Sequence, residues 1–303
     1  MDIYLPIAGM SVNALLIVVL GTLVGVLSGL FGVGGGFLTT PLLIFYGIPP
    51  SVAVASATTQ ITGASVSGVL AHMRRGGVDL RMGLVMIAGG LVGSLAGAGI
   101  FRLLQATGQI DTVIGILYVL LLGSIGILML RDALKALGWL KTSATATARP
   151  RHNKWVAALP GRWRFYASGL YLSPIAPALL GFGAGILTVL LGVGGGFILV
   201  PAMIYLLGMA ARVVVGTSLV MILAVSAATT MIHALTTQSV DIVLAALLLV
   251  GGVIGAQYGA MMTTRLKPDL LRLTLAVIIL LVALRMALGL TYRPDEIFSI
   301  EYL

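Results

Sequence analysis

The sequence predicts an all-α polytopic membrane protein of two inverted-topology repeats. Each repeat holds about five helical segments, with glycine-broken helices meeting near the midplane. Three observations carry the prediction. First, the 303 residues are 59% hydrophobic and only 9% charged, where soluble domains carry roughly 25% charged residues, and the mean hydropathy is +1.12. Second, apolar runs recur along the chain, several of them near the ~20 residues that cross a bilayer core. Third, Gly32-Val33-Gly34-Gly35-Gly36-Phe37 returns as Gly192-Val193-Gly194-Gly195-Gly196-Phe197, each copy followed at the same distance by a proline, Pro41 and Pro201.

The first repeat, 1–134, opens with a long helix over 11–31 that ends at the glycines, because three consecutive glycines break a helix. A short helix over 37–47 follows. At 1.5 Å per residue such a piece reaches only about 17 Å, too little to span alone, so it starts at depth with the glycine turn inside the protein. Helices over 51–73, 82–104 and 110–130 complete this half. The second repeat, 174–303, has matching pieces over 175–191, 197–208, 212–234, 241–263 and 270–290, then a short tail. Between them lies a basic cytoplasmic linker, 135–173. Its Trp155, Trp163, Phe165, Tyr166 and Tyr171 are expected to form an interfacial segment.

The repeat runs well past the glycines. Leu27 to Pro41 align with Leu187 to Pro201; one residue is then gained, and Val54-Ala55-Ser56 meets Val215-Gly216-Thr217, with His72 meeting His233. After one more, Asp79 meets Asp241, and Gly89, Gly93 and Gly97 meet Gly251, Gly255 and Gly259. Small residues four apart let another helix backbone approach closely in lipid.

Loop charge sets the orientation. If positive charge marks the inside, the linker is cytoplasmic, and two crossings earlier so is the loop with Arg74, Arg75 and Arg81. The equivalent loop of the second half, 235–240, has no Lys or Arg; the next loop carries Arg265, Lys267 and Arg272 instead. The basic loops have changed places, as expected if each repeat crosses an odd number of times and the second is inverted. Both termini then lie outside. The +9 net charge sits in loops beside anionic lipid rather than on a nucleic-acid surface. No Lys or Arg precedes the first apolar run, so a cleaved signal peptide is not expected. With no cysteine, disulfides and thiol catalysis are excluded.

Non-helical backbone at membrane depth is tolerated only where it lines a cavity or is buried in protein. A glycine turn that opens a helix presents unbonded N–H groups and the positive end of a helix dipole, which bind oxyanions. A matched pair of such breaks points to a transporter's binding site. The candidate substrate-binding residues are Gly34, Gly35, Gly36, Thr39 and Thr40 at the first break and Gly194, Gly195 and Gly196 at the second. Hydroxyl and amide side chains on the following helices join them: Ser56, Thr59 and Gln60, then Thr217 and Ser218. His72 and His233, at matched helix ends, are candidates for proton coupling. No metal-ligand cluster, nucleophile–base pair or P-loop lysine stands out, so neither an enzyme nor a cofactor is expected.

The two Gly-Val-Gly-Gly-Gly-Phe blocks with Pro41 and Pro201, and the run Ser65-Val66-Ser67-Gly68-Val69-Leu70-Ala71-His72-Met73-Arg74-Arg75-Gly76-Gly77-Val78-Asp79, resemble the TauE/SafE family. The likeness covers about 15–290. The second half keeps the family's Gly-Thr-Ser-Leu as Gly216 to Leu219; the first has Ala55-Ser56-Ala57-Thr58 instead. The resemblance implies a bacterial inner-membrane protein that exports sulfite or an organosulfonate. The expected function is secondary transport of a small sulfur oxyanion by alternating access. A passive anion channel, or a transporter of another small solute, stays open as the alternative, and so does the oligomeric state.

Overall fold

The computed structural model describes residues 2–31, 36–74, 76–136, 160–262 and 268–291. Gly32 to Gly35, Arg75, residues 137–159, Arg265, Lys267 and the tail beyond 291 lie outside the described residues.

Of the described residues, 79% are helical. The first half holds α1 (Ala14–Phe31), α2 (Gly36–Phe45), α3 (Pro50–Arg74), α4 (Leu80–Ala106) and α5 (Ile110–Ala136). The second holds α6 (Ile175–Leu191), α7 (Gly196–Tyr205), α8 (Ala211–Ile232), α9 (Ile242–Met262) and α10 (Pro268–Thr291). A π-helical turn, His233–Thr237, extends α8. Among the described residues five helices are long and apolar enough to cross a membrane, while α1, α2, α6 and α7 are shorter apolar pieces. The protein is a multi-pass α-helical membrane protein. The helices follow the sequence expectation within a few residues at each end.

Two hairpins depart from it. Asp2–Leu5 (β1) pairs antiparallel with Met10–Asn13 (β2), and Trp163–Phe165 (β3) with Leu170–Leu172 (β4). Gly9 and Gly169 close the turns, both at φ +67°, where a Cβ is strained. The second hairpin occupies the stretch read as an interfacial segment. Leu5 faces Met10 just as Phe165 faces Leu170, so the likeness between the halves begins at the hairpins.

The halves embrace reciprocally. α1 lies along α9 in the same direction: a Cβ on Gly251 would stand 2.2 Å from Val18 O, one on Gly255 2.1 Å from Thr22 O, and one on Gly259 2.2 Å from Val26 O. Their counterparts α4 and α6 do the same, with Gly89 against Ala178, Gly93 against Phe182 and Gly97 against Ile186. Backbone touching backbone is the use the sequence foresees for these glycines. Counterparts that pack on each other run antiparallel. Between α3 and α8, Thr59 lies beside Thr230, Thr62 beside Ser226 and Gly68 beside Leu219. Between α5 and α10, Gly115 lies beside Leu290 and Gly126 beside Leu280. Contacts that return when the halves are exchanged have the self-complementary character of a twofold interface.

Each hairpin is tied to the opposite half's helices through a buried aspartate. Asp79 caps α4 by accepting from Met82 N–H at 3.1 Å, and its other oxygen accepts from Ser168 N–H (3.0 Å) and hydroxyl (2.7 Å). Asp241 accepts from Leu244 N–H (3.1 Å) and from Ile7 N–H of the first hairpin (3.2 Å).

Candidate functional site

The second break is fully described. α6 ends at Gly192, φ +67°, whose N–H donates to Thr188 O at 2.8 Å. Two of its last carbonyls are held from outside the helix: Val189 O accepts from His233 Nε2–H at 3.1 Å, and Leu191 O from the Tyr118 hydroxyl. Gly194 and Gly195 follow in the left-handed region, φ +70° and +75°. α7 then begins at Gly196 with no side-chain cap. Ile198 and Leu199 N–H close on Gly195 O at 3.0 and 2.8 Å, which leaves the N–H groups of Gly196 and Phe197 without a partner inside the helix, at the positive end of its dipole.

The first half closes over this turn. The rings of Phe37 and Phe197, counterparts at the start of α2 and α7, stack 4.3 Å apart at 7°. A Cβ on Gly192 would lie 2.6 Å from Val54 O and 3.1 Å from Thr40 Oγ1. One on Gly36 would lie 3.0 Å from Gly192 O and 2.0 Å from Ile61 Cδ1. Over Gly194 stand Ile61 of α3 and Ile222 of α8, also counterparts, 2.8 and 3.3 Å from a Cβ built there. Gly36 and Gly192 to Gly196 are all buried. The broken helices therefore meet inside the molecule; Gly34 and Gly35 lie outside the described residues.

The remaining expected residues divide. Thr40 is buried beside Gly192, its hydroxyl against that of Tyr118. Thr39 donates to Gln60 Oε1 at 3.0 Å, and the Gln60 amide donates to Leu248 O of α9 at 3.2 Å. Ser56 and Thr217 hold the halves together: their hydroxyl oxygens accept from Asp241 N–H (3.3 Å) and Asp79 N–H (2.9 Å). Ser218 and Thr59 donate to their own helices' carbonyls, Val215 O and Ala55 O. The two histidines differ. His72 Nδ1 meets Gly68 O of its own helix at 3.0 Å. His233 is buried, edge-on to Phe101 at 4.9 Å, with Nδ1 3.2 Å from Thr237 Oγ1.

Sequence reasoning passed over Asp79, Asp241 and Tyr118. The aspartates carried a signal, since they match between the repeats and precede a helix. Tyr118 stands in an apolar run with nothing around it to mark a partner at Leu191.

Comparison with known proteins adds the family. The family described as Sulfite exporter TauE/SafE matches residues 17–286. The chain belongs to the TauE/SafE family. "Probable membrane transporter protein YjnA" of Bacillus subtilis is 30% identical over 271 residues, 89% of this chain and 98% of that protein. A "Probable membrane transporter protein" of Xylella fastidiosa is 27% identical over 280 residues, 91% of this chain and 95% of the relative. A shorter stretch of 85 residues, 27% of this chain and 19% of the relative, is 38% identical to "Sulfite exporter TauE/SafE family protein 1" of Arabidopsis thaliana. No solved structure matches. As a TauE/SafE protein it is a multi-pass transporter of the membrane, and the bacterial relatives fit the inner membrane.

Proposed function

We propose that this TauE/SafE protein is a secondary transporter that moves a small sulfur-containing oxyanion, sulfite or an organosulfonate, by alternating access. The observation that supports this most is the packing of the start of α2 against the second glycine break, beside the uncapped start of α7. Unbonded N–H groups and a helix dipole favour an oxyanion without any Arg or Lys, and transporters set such half-helix ends toward anionic groups near the midplane. Gly36, Thr40 and Gly194 to Gly196 form the inner binding set. Gly34 and Gly35, outside the described residues, are proposed with them from the sequence repeat. Thr39, Gln60 and Thr59 stand around it, and Ser56, Thr217 and Ser218 support the frame.

The two halves act as inverted repeats. Antiparallel packing of α3 on α8 and of α5 on α10 supports this, because counterpart helices in parallel repeats point the same way. The face with Arg74, Arg81, Arg131, Lys135, Arg162 and Arg164 is cytoplasmic. His72, bonded to its own helix, and His233, joined to the end of α6, are the candidates for proton coupling.

Flux into proteoliposomes tests the reading. Radiolabelled sulfite and isethionate are taken up and compete with each other, while choline is excluded. Uptake of choline with no flux of either sulfur anion overturns it.

A further inference from the structure

The α3–α8 crossing joins two counterpart helices, so each contact on one side of it has a counterpart on the other. Exchanging the halves turns Thr59–Thr230 into Val220–Val69, and Thr62–Ser226 into Leu223–Ser65. Chemically the two sides are opposites. On one side stand Thr58, Thr59 and Thr62 of α3 with Ser226, Thr229 and Thr230 of α8. The corresponding positions on the other side are Leu219, Val220 and Leu223 of α8 with Ser65, Gly68 and Val69 of α3. Six hydroxyls stand against one.

The difference continues inward to the breaks. Thr39, Thr40 and Gln60 have Leu199, Val200 and Met221 as counterparts. The hydroxyl side points to the end of the molecule that carries His233–Thr237 and the first hairpin. The apolar side points to the end that carries Arg74, Arg81 and the second hairpin.

Hydrogen bonding distinguishes this row from hydroxyls that only serve their own helices. Thr62 Oγ1 and Ser226 Oγ lie 3.0 Å apart, and Thr59 and Thr230 oxygens 3.5 Å apart, across the helix boundary. Thr59 and Thr62 spend their protons on Ala55 O (3.1 Å) and Thr58 O (2.8 Å), which leaves oxygen lone pairs for water. Thr229 Oγ1, in the same row, is buried without a hydrogen-bond partner. An unbonded buried hydroxyl is costly. At Thr229, within the hydroxyl row, it is explained by an occupant that accepts its proton.

We propose that the solute reaches the breaks through this hydroxyl-lined seam, as the hydrated half of its route. Leu219, Val220 and Leu223 are the hydrophobic gate that shuts the other half in this state, since apolar constrictions close by dewetting. Thr229 is a donor to the oxyanion along that path. The nature of the solute rests on the reading given above; the route does not.

Counterpart cysteines test it, because the chain has none of its own. Thr62→Cys and Leu223→Cys are exposed to an impermeant anionic methanethiosulfonate in right-side-out and inside-out vesicles. Thr62→Cys is labelled from the face opposite Arg74, and Leu223→Cys is not labelled from that face. Thr59→Cys and Val220→Cys repeat the comparison if either variant folds poorly. Isethionate slows labelling at Thr62→Cys. Unequal labelling without any effect of isethionate upholds the route and counts against the sulfur-oxyanion reading instead. Equal labelling of both positions from that face, or labelling at Leu223→Cys alone, overturns the route.

Discussion

Gly195 concentrates the demands of the site in one residue. Its φ of +75° lies where a side chain strains the backbone, and a Cβ there would sit 3.2 Å from Ala184 Cβ. Gly195→Ala therefore costs roughly 1–2 kcal/mol from the left-handed conformation, and it deflects the N–H groups at the start of α7. The expected outcome is folded protein with a lower melting temperature and strongly reduced sulfite uptake in proteoliposomes. Unchanged uptake means that the turn does not hold the solute. Asp79 makes a separate prediction. It accepts from both N–H and hydroxyl of Ser168 and from Met82 N–H, and hydrogen bonds to charged groups contribute about 1.5–3 kcal/mol each. Asp79→Ala should free the second hairpin, read as faster hydrogen exchange over 163–172 with the exchange of α10 unchanged. The glycines were legible in the sequence because a triple glycine in an apolar run has few explanations. Ser56 and Thr217 were legible only as polar residues. Their use as acceptors for an aspartate N–H of the other half depends on contacts across some 140–185 positions, which no local pattern contains.

At the scale of elements, the glycine stripes carry the assembly of α1 with α9 and of α4 with α6. A Cβ on Gly93 would stand 2.1 Å from Phe182 O, whereas one on Gly99, on the same helix, meets nothing within 4 Å. Gly93→Val should prevent the close approach and cost at least the ~1–3 kcal/mol of an overpacked core; Gly99→Val should be tolerated. Thermal unfolding in detergent compares them, and equal melting temperatures would show that the stripe does not carry the contact. The stripes could be read in advance because their spacing of four matches a helix face. Both hairpins escaped notice. Strands of three or four residues are too short for an alternating pattern to stand out from apolar surroundings. Their clearest trace was Gly9 and Gly169 at corresponding places in the two halves.

For the whole molecule, the account depends on the halves being opposed, so that two helix ends of the same chemistry arrive at one place from opposite sides. Loop charge suggested this from sequence, and the antiparallel crossing of α3 and α8 agrees with it. What the sequence could not contain was the one-sided chemistry of that crossing, since it emerges only when each contact is set beside its counterpart. Inversion has a direct experimental signature. Arg74 ends α3, and Gln238 follows the corresponding end of α8; both are exposed. Parallel repeats put these two positions on the same face of the membrane, and inverted repeats put them on opposite faces. Arg74→Cys and Gln238→Cys, each the sole thiol in the chain, can be treated in intact cells with a membrane-impermeant maleimide. The account predicts labelling of Gln238→Cys and protection of Arg74→Cys until the membrane is permeabilised. Labelling of both in intact cells, or protection of both, would contradict it.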